Sequence, residues 1–268
     1  MIRLGRISYV NMAPVFHRLS YEVEEVVGVP TQLNRMLIDG EIDVAPISSI
    51  EYARNADKLR LLPRLCVSSE GAVDSIQLVT RLPIGSVRSV AVTPESATSV
   101  VLTRVLLPHV EIRSLEEEAD ATLLIGDAAL RSAYEDPTPH HDLGRLWLER
   151  TGLPMVFAVW AMPEPVVDGF ADLEHALVSS VRLARAESEL LAYEASSRYG
   201  YPAGFLARYF EKLRYSFGPR ERAGLYTFFE MARDVGELHS VPELRFAREL
   251  RPWPEKARTD GRAQENGR

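Results

Sequence analysis

The sequence has one cysteine in 268 residues, Cys66. A single thiol excludes an intramolecular disulfide framework, and with six scattered histidines it offers no zinc-ligand spacing. Long hydrophobic runs are missing too, since no window approaches the roughly 18 consecutive apolar residues of a membrane span. Positive charge is in deficit, with 31 Lys and Arg against 38 Asp and Glu and a net charge of −7. Such a surface repels a phosphate backbone, so nucleic acid is not an expected partner. Gly-x-Gly-x-x-Gly, Walker and Gly-x-Ser-x-Gly sequences are absent, which removes the motif basis for a nucleotide cofactor or a serine hydrolase. No repeat of fixed period and no secretory leader pattern is found. The opening Met1-Ile-Arg-Leu-Gly-Arg-Ile-Ser-Tyr-Val-Asn11 reads as a strand, and a cytoplasmic protein is expected.

With 46% hydrophobic and 26% charged residues, the chain can bury one sizeable core or two smaller ones. Residues 1 to about 165 alternate short β-rich runs with amphipathic helical patterns, the rhythm of βα units and a mostly parallel sheet. Strands are expected over 3–10, 42–47, 59–67, 75–80, 90–92, 110–112, 122–125 and 155–162. Helices start at Pro14, after Thr31, after Ser48 or Ser49, after Ser96 and after Asp127, each at a proline or a capping residue. From about residue 170 the pattern is helical only, over 171–199, 204–215 and 220–235. Two βα sets followed by helices predict an α/β protein of two lobes with a cleft between them. The first lobe comprises residues 1–80 and 163–250, the second 81–162, and 251–268 form a loosely held tail rich in charge, Pro and Gly. The strands at 75–80 and 155–162 cross between the lobes as a hinge, and a ligand is expected in the cleft against helix N-termini.

Small neutral polar residues recur at the strand-to-helix junctions: Ser8, Asn11, Ser48, Ser49, Ser68, Ser69, Ser75, Ser96, Thr98 and Ser99. Each can simply cap a helix. Together they can also bind an anion, because N–H groups at a helix start are partly positive and hydroxyls add donors without a counter-charge. Asn11 follows a strand and precedes Met-Ala-Pro, where its amide can serve a turn, hold a carboxylate or polarise a reacting oxygen. Ser75 opens a crossing strand after the loop Ser68-Ser-Glu-Gly-Ala-Val-Asp74. Asp127 can bind a substrate hydroxyl, although an N-cap explains it fully. His17 reads as a helix-face histidine, His140 and His141 as loop residues too close in sequence for a metal site, and Cys66 as a buried, inert thiol.

Five segments in order across residues 5–161 resemble the chorismate dehydratases of the futalosine route to menaquinone. They are Gly5-Arg-Ile-Ser-Tyr-Val-Asn-Met-Ala-Pro14, Gly40-Glu-Ile-Asp-Val-Ala-Pro-Ile-Ser48, Ser96-Ala-Thr-Ser-Val100, Leu124-Ile-Gly-Asp-Ala-Ala-Leu130 and Thr151-Gly-Leu-Pro-Met-Val-Phe-Ala-Val-Trp-Ala161. The resemblance implies the type II periplasmic-binding-protein fold and removal of water from chorismate to give 3-[(1-carboxyvinyl)oxy]benzoate, with no cofactor, no metal and a small molecule as the partner. It places the family's key Asn on Asn11 and its crossing-strand Ser on Ser75, and its anion-binding helix starts on Ser48, Thr98 and Ser99. Ser69 and Gly71 fall in the loop before Ser75 and are carried as substrate-binding candidates with Asp127. The sister family, the 1,4-dihydroxy-6-naphthoate synthases, resembles this fold but opens with a different Asn/Asp-rich segment. A non-catalytic binding protein for a small carboxylate would use the same cleft, and oligomeric state is left open.

Overall fold

The computed structural model describes residues 1–248, so the tail expected over 251–268 lies outside the described residues. The chain starts with β1 (Ile2–Ile7), a 3-10 turn (Val10–Met12) and the short helix α1 (Ala13–Phe16), then β2 (Val23–Gly28), α2 (Pro30–Ile38), β3 (Ala45–Ser48), α3 (Ser49–Arg54) and β4 (Leu59–Ser69). A second series follows: β5 (Ile76–Val79), β6 (Ser89–Val92), α4 (Ala97–Leu106), β7 (Glu111–Ser114), β8 (Ala121–Ile125), α5 (Gly126–Glu135), β9 (His140–Asp142) and α6 (Leu143–Thr151). The chain returns through β10 (Met155–Pro163) and continues as α7 (Phe170–Ala186), α8 (Ser188–Tyr199), α9 (Ala203–Lys212), β11 (Leu213–Ser216) and α10 (Pro219–Asp234).

β10 is an unbroken apolar run because it is the central strand of the first lobe, antiparallel to β3 on one side and to β4 on the other. Only its last residue, Pro163, escapes burial. β11 adds to the far edge of β4, and the parallel pair β1–β2 joins through a bridge between Leu4 and Val44. That join is tight: a Cβ at Gly5 would lie 2.7 Å from the Ala45 Cβ, so no larger residue fits there without movement. The second sheet runs β7-β6-β8-β5-β9, with β6 parallel to β7 and β8 and with β5 antiparallel to β8 and β9.

These pairings move the lobe boundaries expected from the sequence. β5 lies in the sheet of the second lobe and β10 in that of the first, because each crossing strand is inserted into the sheet it enters. α10 covers β10 behind the hinge, and Phe228 meets Trp147 of α6 edge-on with ring centroids 6.1 Å apart. A Cβ at Gly224 would sit 2.0 Å from the Pro154 carbonyl, so only glycine lets α10 approach this closely.

Other differences have local causes. The first strand ends at Ile7, because residues 10–12 coil into the 3-10 turn that carries Asn11. The N-cap of α2 is Val29 rather than Thr31, with Pro30 as the first helical residue. The pattern over 171–199 is two helices separated at Glu187, and β11 interrupts the pattern over 204–215, its buried Leu213 and Tyr215 alternating with exposed Arg214 and Ser216. His140 and His141 lie in β9 rather than in a loop.

Candidate active site

A cleft of about 580 Å³, its open mouth included, lies between the lobes. Ile7, Tyr9, Asn11, Pro30 and Ser48 come from the first lobe, Ser75, Ser96, Ser99 and Gly126 from the second, and Val67, Phe157 and Ala158 from the hinge side. None of the described residues lining it carries a formal charge. The starts of α2, α4 and α5 converge on this space, so its polarity comes from neutral donors and helix ends.

Asn11 sits in the turn after β1. Its carbonyl oxygen accepts from the Tyr215 hydroxyl at 2.5 Å, which ties the turn to β11. The side-chain Oδ1 of Asn11 is buried and has no partner. A buried acceptor left this way is costly unless something binds there, and Asn11 lines the cleft. Ser48 ends β3 and is held by Asn34 of α2, whose Nδ2 donates to Ser48 Oγ at 3.1 Å and whose Oδ1 accepts from the Ser48 N–H at 3.0 Å.

Across the cleft, Ser75 directly precedes β5. Its carbonyl accepts from the Gly126 N–H at 2.8 Å, and its hydroxyl makes only a long contact of 3.4 Å with the Val73 carbonyl. Asp142 pins this segment, accepting from the backbone N–H of Val73 at 2.9 Å and of Asp74 at 2.7 Å and from Gln77 Nε2 at 2.9 Å, while also capping α6 through Arg145 N–H at 3.0 Å. Burial raises the Asp142 carboxyl above its ordinary pKa, against the lowering effect of the N–H donors. The Tyr209 phenol is buried beside Ser75, and burial raises its pKa. Ser96 caps α4, accepting from the Ser99 N–H at 3.3 Å and lying 2.9 Å from the Ser99 hydroxyl.

Asn11, Ser48, Ser75 and Ser99 are therefore brought together, whereas four other candidates do not line the cleft. Ser69 donates to the Gly71 carbonyl at 2.8 Å, and Gly71 supplies the left-handed φ of +107° that the loop requires. Thr98 Oγ1 accepts from the Ile50 N–H at 3.4 Å, joining the lobes. Asp127 is no N-cap, since α5 starts one residue earlier, at Gly126; its carboxylate accepts from the Val10 N–H at 3.0 Å and so also ties lobe to lobe. Burial raises its pKa. The Tyr9 hydroxyl donates to Glu95 at 2.7 Å as a third such tie. His17 is buried 2.8 Å from Glu187 and is no part of the cleft, and Cys66 is buried with its thiol pKa raised by desolvation. Asn34, Asp142, Tyr209 and Tyr215 were not expected. Only Asp142 had a readable signal, as an Asp directly before an amphipathic helix.

Two lobes, each with its antiparallel strand arriving from the other, and a cleft walled by helix starts place the chain in the class of periplasmic-binding-protein-like folds. The periplasmic aliphatic sulphonate binding protein of Escherichia coli superposes with a TM-score of 0.68 at 14% identity, over 99% of this chain and 97% of that one. A protein of Archaeoglobus fulgidus gives 0.73 at 22% identity, over 88% and 97%. The family is fixed by sequence: residues 2–234 match the family described as menaquinone biosynthesis, and the chain belongs to it. The chorismate dehydratase of Thermus thermophilus is 36% identical over 263 residues, 85% of this chain and 93% of that protein.

Proposed function

We propose that this protein is a chorismate dehydratase, a hydro-lyase that converts chorismate to 3-[(1-carboxyvinyl)oxy]benzoate and water in the cytoplasm, at the start of the futalosine route to menaquinone. The observation that carries the reading is the uncharged cleft in which the unpartnered Asn11 Oδ1 shares the lining with Ser48, Ser75 and Ser99. Its support from relatives is membership of a menaquinone-biosynthesis family and the likeness to the Thermus enzyme.

Chorismate carries two carboxylates. The Ser48 and Ser99 hydroxyls and the N–H groups at the starts of α4 and α5 are suited to receive them, because neutral donors stabilise an anion without burying a counter-ion. The C3 proton is vinylogous to the ring carboxylate, so its removal gives an extended enolate. That enolate re-forms its double bonds as the C4–O bond breaks, and aromaticity drives the step. Asn11 Oδ1 accepts from the C4 hydroxyl and fixes its direction, and the Asn11 amide N–H groups steady the oxygen as it leaves. Ser75, across the cleft, adds a donor to the developing negative charge. The enolpyruvyl carboxylate of the substrate takes the C3 proton and passes it to the departing hydroxide, so water leaves and no net oxidation occurs. Closure of the lobes keeps bulk water from the enolate.

Incubation of the purified chain with chorismate, followed by chromatography and mass measurement against an enzyme-free control, tests this. A product lighter by one water is expected. Unchanged chorismate, with consumption of the cyclic dehypoxanthine futalosine intermediate instead, would assign the chain to the sister reaction; binding of chorismate without turnover would make it a binding protein.

A further inference from the structure

Two adjacent serines, Ser48 and Ser49, stand where β3 turns into α3, and their hydroxyls are used differently. Ser49 donates to the Val156 carbonyl at 2.7 Å and is fully buried, so its proton belongs to the hinge strand. Ser48 accepts instead. The backbone N–H of Ser48 is a donor only, and the Asn34 atom that it meets at 3.0 Å must be the amide oxygen. The other amide atom, 3.1 Å from Ser48 Oγ, is then the NH2 group, which can only donate. Ser48 Oγ thus receives a hydrogen bond on the protein side, and no other protein group accepts its proton among the hydrogen bonds of the described residues. Ser48 lines the cleft, so that proton is left for a ligand.

We infer that Asn34 is a positioning residue that fills one acceptor site of the Ser48 hydroxyl and so leaves its proton for the cleft, favouring a carboxylate oxygen there. The inference rests on the carboxylate-binding role given to Ser48 above. Asn34 is buried in α2, a turn beyond the helix start, and both of its polar atoms are engaged by Ser48. An asparagine buried on the core side of a nine-residue helix is otherwise a cost, and this pairing accounts for it.

The test is a cycle of N34L, S48A and N34L/S48A, reading KM and kcat for chorismate. N34L frees the Ser48 hydroxyl to rotate and is expected to raise KM about tenfold, with a smaller change in kcat. The double variant is expected to be no worse than S48A alone, because both changes remove one interaction. Effects that multiply would overturn the inference and leave Asn34 a structural residue. If N34L does not fold, N34D keeps the acceptor for the Ser48 N–H but turns the hydroxyl back toward its second oxygen; the same rise in KM and the same non-additivity with S48A are expected, and a normal KM overturns the inference.

Failure of the functional reading is told apart by a second measurement, the rise in melting temperature given by isophthalate, a benzene dicarboxylate. A chain that leaves chorismate unchanged yet is stabilised by isophthalate in an Asn34- and Ser48-dependent way loses the dehydratase reading and keeps this one. No stabilisation and no turnover would remove both.

Discussion

The two lobes share a five-strand plan, β2-β1-β3-β10-β4 in one, with β11 added at its edge, and β7-β6-β8-β5-β9 in the other, yet they hold their cleft residues by different means. In the first lobe single remote side chains fix the residues: Tyr215 holds the backbone carbonyl of Asn11, and Asn34 holds the hydroxyl and backbone N–H of Ser48. In the second lobe several of the groups are parts of helix starts, with Ser96 capping α4 through the Ser99 N–H and Gly126 opening α5. A residue held by a specific side chain has a defined position, which a reacting oxygen needs. A helix start offers a diffuse positive end, which suffices for a carboxylate. Turnover is thus expected to depend most on Asn11 of the first lobe, while the helix starts of the second, with Ser96 and Ser99, serve capture of a carboxylate alongside Ser48.

The largest effect that could break this contrast is at Asn11. Asn11→Ala removes the one buried side-chain acceptor without a partner among the described residues lining the cleft, and is expected to lower kcat by about a hundred- to a thousandfold, the scale of a lost group that acts on a developing oxyanion. The melting temperature should hardly move, since the structural bond at this residue is through its backbone carbonyl. Near-normal turnover would remove Asn11 from the chemistry and the contrast with it.

Ser96→Ala probes the other lobe and should act more weakly. It removes the cap of α4, at a cost of about 1 kcal/mol, and frees Ser99 from its neighbour. The expected outcome is a severalfold higher KM, a kcat close to that of the unaltered chain and a melting temperature lower by roughly 2–4 °C. A collapse of kcat with little change in KM would place chemistry on the start of α4 as well as on Asn11 and Ser75.

How legible these parts were follows from the same difference. Helix starts are local, and Ser48, Ser96 and Ser99 could be read from a capping residue before an apolar stripe. The lobes and their crossing were readable from the order of βα units, but the exchange of β5 and β10 between sheets was not, because strand pairing is a long-range property that no local pattern records. The partners that orient the site are equally remote: Tyr215 lies 204 positions from Asn11, on a four-residue edge strand inside what reads as a helix. Thr98 and Asp127 carried the right chemistry for a ligand, yet they join the lobes, since a hydroxyl or carboxylate beside a cleft can bond across its rim as well as into it. The segments that resembled the dehydratases covered Asn11, Ser48, Ser96, Ser99 and Gly126 but neither Ser75 nor Pro30, and none of the C-terminal supports.

The smallest expected effect sharpens the contrast through two buried carboxylates. In the second lobe Asp142 accepts from three backbone N–H groups that cap α6 and hold the segment before β5, so replacing it would confuse loss of charge with loss of the loop. In the first lobe Glu174 of α7 accepts one backbone N–H, that of Arg64 at 2.9 Å, and pairs with Arg248. Burial raises its pKa above the ordinary value of 4.5, against the lowering effects of those partners. The folded chain therefore holds this proton more tightly than the unfolded one. The stability tied to it is fully present below the ordinary value, declines as pH rises through the raised one and is flat beyond. Glu174→Gln keeps an acceptor for Arg64 and cannot titrate. The melting temperature of the unaltered chain minus that of the variant should fall by no more than about 2 °C as pH rises through that window. A difference that grows with pH would mean that the Arg64 and Arg248 interactions outweigh burial, and that the first lobe holds this carboxylate for its charge.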